Sequence, residues 1–230
     1  MTPANLKASR KQKHWTQQQA AAMLGVSQPY LALLESGQRT LSPRLVRKAV
    51  RVYRLSSSLL PPASSSQSET DPEQLSRHLA ALGYPGFAYL RGGWKRNPAD
   101  VLLAALSQPN LEARLTEALP WLLLNYPDMD RETLVRRTRA DNLSNKLGFM
   151  VDMALQLAER LHPPQSARLA LLRALRDDLR ASRLDVEGTL GQDALSLAER
   201  QWLRENRSEV AAYWHLLTNW RPEHFPYDAS

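Results

Sequence analysis

Residues 16–50 read TQQQAAAMLGVSQPYLALLESGQRTLSPRLVRKAV, and the punctuation of this stretch spells three helices. Thr16 has the short oxygen-bearing side chain that caps a helix start, and Gly25 stops the segment 17–24 because glycine alone adopts a positive φ without cost. Ser27 caps a second helix over 28–36, closed by Gly37. Ser42 followed by Pro43 opens a third over 44–53, with serine at the cap and proline at the first helical position. Ala20, Ala21, Leu24, Val26, Leu31 and Leu34 fall at the spacing of two helices packed across a tight turn.

Upstream, residues 6–13 form a helix that ends before Trp15, and downstream 56–60 form a short fifth, so residues 1–60 make a five-helix unit. Its charge is one-sided. Ten basic residues (Lys7, Arg10, Lys11, Lys13, Arg39, Arg44, Arg47, Lys48, Arg51, Arg54) stand against one acid, Glu35. The whole chain of 230 residues carries +7, from 30 Lys+Arg and 23 Asp+Glu, so the other 170 residues are slightly acidic. A basic module joined to a near-neutral remainder is the electrostatic footprint of polyanion binding. A helix, a turn through Gly25 and a second helix is also the geometry that presents one helix to the major groove.

The same string resembles the phage-repressor/Cro (XRE) family of helix-turn-helix domains. The matching positions are Thr16-Gln17, Ala20-Ala21, Gly25-Val26-Ser27-Gln28, Leu31, Glu35 and Gly37, in unbroken register. The likeness covers about residues 5–60, with the motif itself at 16–36. It implies double-stranded DNA as the partner and a helix starting at Ser27 as the reader. By position, Gln17 would hold a phosphate at a helix N-terminus, and Gln28 would pair with an adenine edge. Ser27 would reach a base or a phosphate, Tyr30 would place its hydroxyl near the backbone, and Leu33 would touch a thymine methyl. Arg39 and Arg44 would take phosphates. Arg10 and Glu35 would form the internal ion pair that ties the first helix to the recognition helix. Pro29 and Leu33 replace hydrogen-bonding side chains common in relatives, which shifts specificity toward DNA shape or half-site spacing.

Residues 61–70, rich in serine and proline, read as a linker. From 71 to 230 the pattern is helical throughout, which predicts an all-α chain: a repressor-like domain, a linker and a multi-helix domain. Expected helices cover 72–82, 98–107, 111–118 capped by Asn110, a short restart at 121–125 after Pro120, 130–161 in two pieces divided near Asp141-Asn142, 165–183 after Pro163-Pro164, 197–206 behind a Ser196/Glu199 capping box, and 209–220. Residues 84–96 form an aromatic, glycine-bearing loop. Trp214, Trp220, Phe225 and Tyr227 make an aromatic tail that is either strapped to its own domain or offered to a protein partner.

Absent cysteine excludes disulfides, thiolate nucleophiles and Cys-based zinc sites. The five histidines lack metal-ligand spacing, and no HExxH, GxGxxG, Walker or GxSxG pattern occurs. No catalytic residue, metal or cofactor is therefore expected, and the chain is not read as an enzyme. Apolar runs are too short to span a bilayer and the N-terminus lacks a signal-peptide core, so a cytoplasmic, membrane-free protein is expected. The expected function is a dimeric repressor reading an inverted repeat. The alternative is an antitoxin-type protein whose helical domain neutralises a toxin-like partner while the N-terminal domain regulates its own operon. The C-terminal domain would supply dimerisation and either a protein partner or a small-molecule effector site.

Overall fold

Nine of the α-helix starts are made by side-chain caps. Thr2, Thr16, Ser27, Ser42, Asp71, Asn97, Asp130, Ser196 and Ser208 each accept a backbone N–H from the first turn that follows. Each cap satisfies a donor that the helix itself cannot, a contribution of roughly 1 kcal/mol. The computed structural model describes residues 1–63, 71–90, 93–160 and 166–226. It divides into two compact units, Met1–Ala63 and Ser64–Ser230. Most of the expected linker, residues 64–70, lies outside the described residues, as does the break at Pro163-Pro164.

The first unit contains α1 (Pro3–Gln12), α2 (Gln17–Leu24), α3 (Gln28–Glu35) and α4 (Pro43–Tyr53). α1 starts earlier than expected because Thr2 forms a capping box with Asn5 and Pro3 occupies the first turn. The expected fifth helix is a single 3-10 turn, Ser57–Leu59. Leu6, Ala20, Ala21, Leu24, Leu31, Leu34, Leu45, Ala49 and Tyr53 close one core. Gly25 sits at φ 67 and makes the αL stop between α2 and α3.

The second unit contains α5 (Pro72–Leu82), α6 (Pro98–Leu106), α7 (Ala113–Asn125), α8 (Arg131–Ala140), α9 (Ser144–Arg160), α10 (Ser166–Arg180), α11 (Leu197–Asn206) and α12 (Glu209–Tyr213). The fold is all-α. Among the described residues, strand pairing is limited to a two-residue parallel pair, β1 (Gly188–Thr189) with β2 (Leu216–Leu217), and one isolated bridge between Asn110 and Gln192. α9 is central: Leu147 through Val151 are buried without interruption, so neighbours cover that stretch of the helix on every side. α7, α8, α10 and α12 pack against it.

Three expectations fail here for physical reasons. Pro120 does not divide α7, although a proline inside a helix costs about 3 kcal/mol. Leu115, Ala118, Leu119, Leu122 and Leu123 on the same helix are all fully buried. At roughly 1.5–3 kcal/mol for each large apolar side chain, continuing the helix outweighs the lost hydrogen bond. Asn110 correspondingly caps nothing; the Leu111 N–H donates to the Gly191 carbonyl at 2.8 Å. The helix expected over 209–220 stops at Tyr213, with His215 in the left-handed region at φ 52. That turn lets Trp214 enter the core and sends Leu216 and Leu217 into the strand pair.

Trp214 is fully buried, and its indole N–H donates to Asp152 Oδ2 at 2.7 Å. A Cβ placed on Gly148, one turn before Asp152 on α9, would lie 2.3 Å from the Trp214 ring. Glycine in mid-helix costs up to about 1 kcal/mol relative to alanine, so its presence marks the seat of the indole. Gly148→Ala is expected to destabilise the second unit despite the better helix former, because overpacking costs about 1–3 kcal/mol. A fall of a few degrees in the melting temperature, with a shift in tryptophan emission, checks this; an unchanged or raised melting temperature contradicts it.

Candidate nucleic-acid interface

α2 and α3 meet across the Gly25 turn and place Gln17 and Gln28, at the two helix starts, side by side. The Gln28 Nε2 donates to Gln17 Oε1 at 3.0 Å, and Gln17 Nε2 donates in turn to Glu35 Oε2 at 3.0 Å. Arg10 of α1 completes the line: its Nε reaches Glu35 Oε1 at 2.7 Å and its Nη2 reaches Oε2 at 2.9 Å. Arg10 also donates to the Trp15 carbonyl at 2.9 Å, which fixes the α1–α2 loop. Three helices are thus pinned around one buried carboxylate, and the line ends in a side chain on the outer face of α3.

One Gln28 amide hydrogen goes to Gln17, which leaves a second hydrogen and the carbonyl oxygen, the donor and acceptor that an adenine edge requires. Gln28, Tyr30 and Leu33 are exposed along α3, whereas Leu31 and Leu34 on its inner face are fully buried. Tyr30 and Leu33 stand 37% and 36% exposed. Ser27 has its oxygen engaged as the α3 cap, accepting the Tyr30 N–H at 3.4 Å, which leaves its hydroxyl hydrogen and one lone pair for another group. Arg39 and Arg44 are exposed in the α3–α4 segment, without a carboxylate partner among the described residues.

Gln17 has a task that residue order alone did not reveal. Its side-chain amide bridges Glu35 and Gln28. The backbone N–H groups at the start of α2 remain as anion donors, since Thr16 caps only the Gln19 N–H. Lys48 was also missed: its ammonium lies over the turn, 2.6 Å from where a Gly25 Cβ would be. A cation there faces the negative C-terminal end of α2. No spacing rule links residues 25 and 48, so only the folded chain exposes the contact.

Burial drives the Glu35 carboxyl upward, but hydrogen bonds from Arg10 and Gln17, with the charges of Arg10 and Lys7, outweigh it and hold the group below the usual glutamate range. The same pairing raises Arg10. Burial pushes the Tyr53 hydroxyl up to about 12, helped by the nearby Glu35 charge.

The aromatic tail of the second unit is placed differently from the partner-facing option. Trp214 and Phe225 are core residues, and Trp220 stacks on Phe225 with ring centres 5.2 Å apart. These side chains fill their own unit because apolar rings of this size gain more from burial than from exposure. Tyr227 lies outside the described residues. In the loop before α6, Tyr84 is buried edge-on against Phe87 and Trp121, while Tyr89 and Trp94 are exposed. Among the described residues, no cluster of His, Asp and Glu is placed to hold a metal ion, and no helix is long and apolar enough to cross a membrane.

The model of a family described as Helix-turn-helix matches residues 6–60. These residues are an XRE-type helix-turn-helix domain. No curated protein and no solved structure matches the chain. The helix-turn-helix domain makes the chain a DNA-binding transcriptional regulator in the general sense.

Removing one partner of a buried pair leaves the other charge unpaired, which costs about 3–5 kcal/mol. Arg10→Met is therefore expected to lower hydrogen-exchange protection across residues 1–60 sharply, and Arg10→Met/Glu35→Leu to restore most of it. Because the folded Glu35 pKa is depressed, its stabilisation is full above the unfolded value and is lost as pH falls through the folded value. The stability gap between the unmodified chain and Glu35→Gln should thus be constant near neutrality and shrink below about pH 4.5. A gap that grows on acidification contradicts the pairing.

Proposed function

We propose that this chain is a dimeric repressor that reads an inverted-repeat operator through α3, with Gln28 as its principal base reader. The observation that carries this reading is the hydrogen-bonded line from Arg10 through Glu35 and Gln17 to Gln28. It fixes an exposed amide in one orientation before any DNA arrives, which lowers the ordering cost of recognition. Leu33 offers an apolar contact to a thymine methyl, and Ser27 and Tyr30 offer hydroxyl donors to backbone or base. Arg39, Arg44 and the α2 N-terminus take phosphates and set the register. Few hydrogen-bonding groups line α3, so DNA shape and half-site spacing carry the remaining specificity.

The second unit supplies dimerisation and a signal input in this reading. Two recognition helices then enter successive major grooves, with half-site centres about 34–36 Å apart. One observation favours a small-molecule input: an open cleft of about 570 Å³ lined by Tyr84, Tyr89, Arg114 and Glu117, which combines aromatic walls with both charges. The antitoxin-type alternative drew on the aromatic tail, and the burial of Trp214 and Phe225 removes that support.

Selection of bound duplexes from a random pool with the full-length chain tests the reading, and an inverted repeat is the expected product. A single unrepeated element would overturn the dimeric part. On the selected site, Gln28→Ala should cost about 1–3 kcal/mol and relax one base position. Arg39→Ala should weaken all sequences alike and lower the salt slope by about one ion. Full retention of site preference by Gln28→Ala in gel-shift competition would sink the assignment of the base reader.

A further inference from the structure

Five of the ten basic residues of the first sixty lie on α4 or at its C-cap. α4 carries Arg44, Arg47, Lys48 and Arg51, at i, i+3, i+4 and i+7, with Arg54 at its C-cap. Side chains at these spacings share a face. The opposite face, formed by Leu45, Val46, Ala49, Val50 and Tyr53, is buried. The four arginines are exposed and Lys48 is half-buried. No carboxylate pairs with any of the five among the described residues.

An ordinary solvated helix face interleaves acids with bases so that neighbours at i+3 and i+4 attract. Here every such neighbour repels, and α4 contains no acidic residue at all. Arg44 additionally sits at the helix N-terminus, against the positive end of the helix dipole. The one acid of the first sixty residues, Glu35, is buried and already held by Arg10. Lys48 is turned toward the negative end of α2, but no carboxylate among the described residues meets the exposed arginines of this row, so their complement is an external polyanion. From Arg44 to Arg54 the row runs on the order of 15 Å at 1.5 Å per residue. Duplex DNA presents one phosphate charge per ~1.7 Å, so a row of that length faces several phosphates.

We propose that the exposed face of α4 is a second phosphate-binding surface, which engages duplex DNA outside the segment read by α3. Arg44, at one end, is shared with the half-site; Arg47, Arg51 and Arg54 carry the contact onward. This inference rests on the reading of α3 as the base-contacting helix. Its consequence is that affinity and salt dependence grow with the length of DNA beyond the recognised bases.

The test uses the full-length chain and the duplex recovered from random-pool selection, in two forms: the core alone, and the core extended by about one helical turn (~10 bp) on each side. The unmodified chain should show a log K against log salt slope steeper by about two to three on the extended duplex. That corresponds to a roughly fortyfold larger loss of affinity between 50 and 200 mM salt. Arg47→Gln/Arg51→Gln/Arg54→Gln should give the same slope on both duplexes. Arg47→Lys/Arg51→Lys/Arg54→Lys should keep the difference, because the slope counts charges, and this variant decides the matter if the glutamine variant fails to fold. Equal slopes for the unmodified chain on both duplexes would mean a merely solvated basic face and overturn the proposal. A glutamine variant that lowers both slopes equally would assign the row to the half-site itself and also overturn it. Failure to recover any duplex in the selection is a separate result, which overturns the reading of α3 and this proposal with it.

Discussion

A carboxylate taken out of water must be met by partners that reach both of its oxygens, and Glu35 imposes that requirement on the whole N-terminal unit. Arg10 comes from α1, Gln17 from α2, and Glu35 itself ends α3. Satisfying one buried group therefore fixes the mutual placement of three helices whose apolar contacts alone would tolerate sliding. Desolvation opposes the charge, and the hydrogen bonds overcome it and hold the Glu35 pKa below the usual glutamate range. Gln28 hangs from the outer end of the same line. If Gln28 reads bases as proposed, stability and recognition are coupled through a single carboxylate, because its bond to Gln17 depends on a Gln17 held by Glu35.

The charge distribution follows the same division of labour. Internal neutralisation of Arg10 by Glu35 leaves the rest of the unit's basic residues without an acidic counterweight. α3 keeps its outer face uncharged, with Gln28, Tyr30 and Leu33, so it can approach base edges without being fixed by the nearest phosphate. The arginines instead occupy the α3–α4 segment and the outer face of α4. The uncharged outer face of α3 and the arginine-bearing face of α4 thus lie on different elements.

Much of this was legible in residue order. The caps at Thr16, Ser27 and Ser42, the stop at Gly25, the all-α character and the apolar spacing across the turn are local properties, and local chemistry suffices to read them. The second unit was less legible because burial there overrides local signals. Pro120 reads as a break and is carried through α7 by the buried leucines on either side. Trp214 reads as part of a long terminal helix and an aromatic tail; its indole instead fits over Gly148 and bonds Asp152, residues more than sixty positions earlier. No periodicity in either segment signals that fit.

The sequence by itself determined where the helices around the turn begin, at the caps Thr16, Ser27 and Ser42, the helix-turn-helix register and the segregation of positive charge into the first sixty residues, since capping, glycine φ preference and charge counting need no knowledge of neighbours. Only the tertiary structure decided that Gln17 bridges Glu35 to Gln28, that Lys48 covers the Gly25 turn, and that Trp214 and Phe225 are core residues. Each of those outcomes depends on groups far apart in the chain meeting at hydrogen-bonding or van der Waals distance. Such meetings are set by how helices pack, and packing is the one property that residue order does not carry locally.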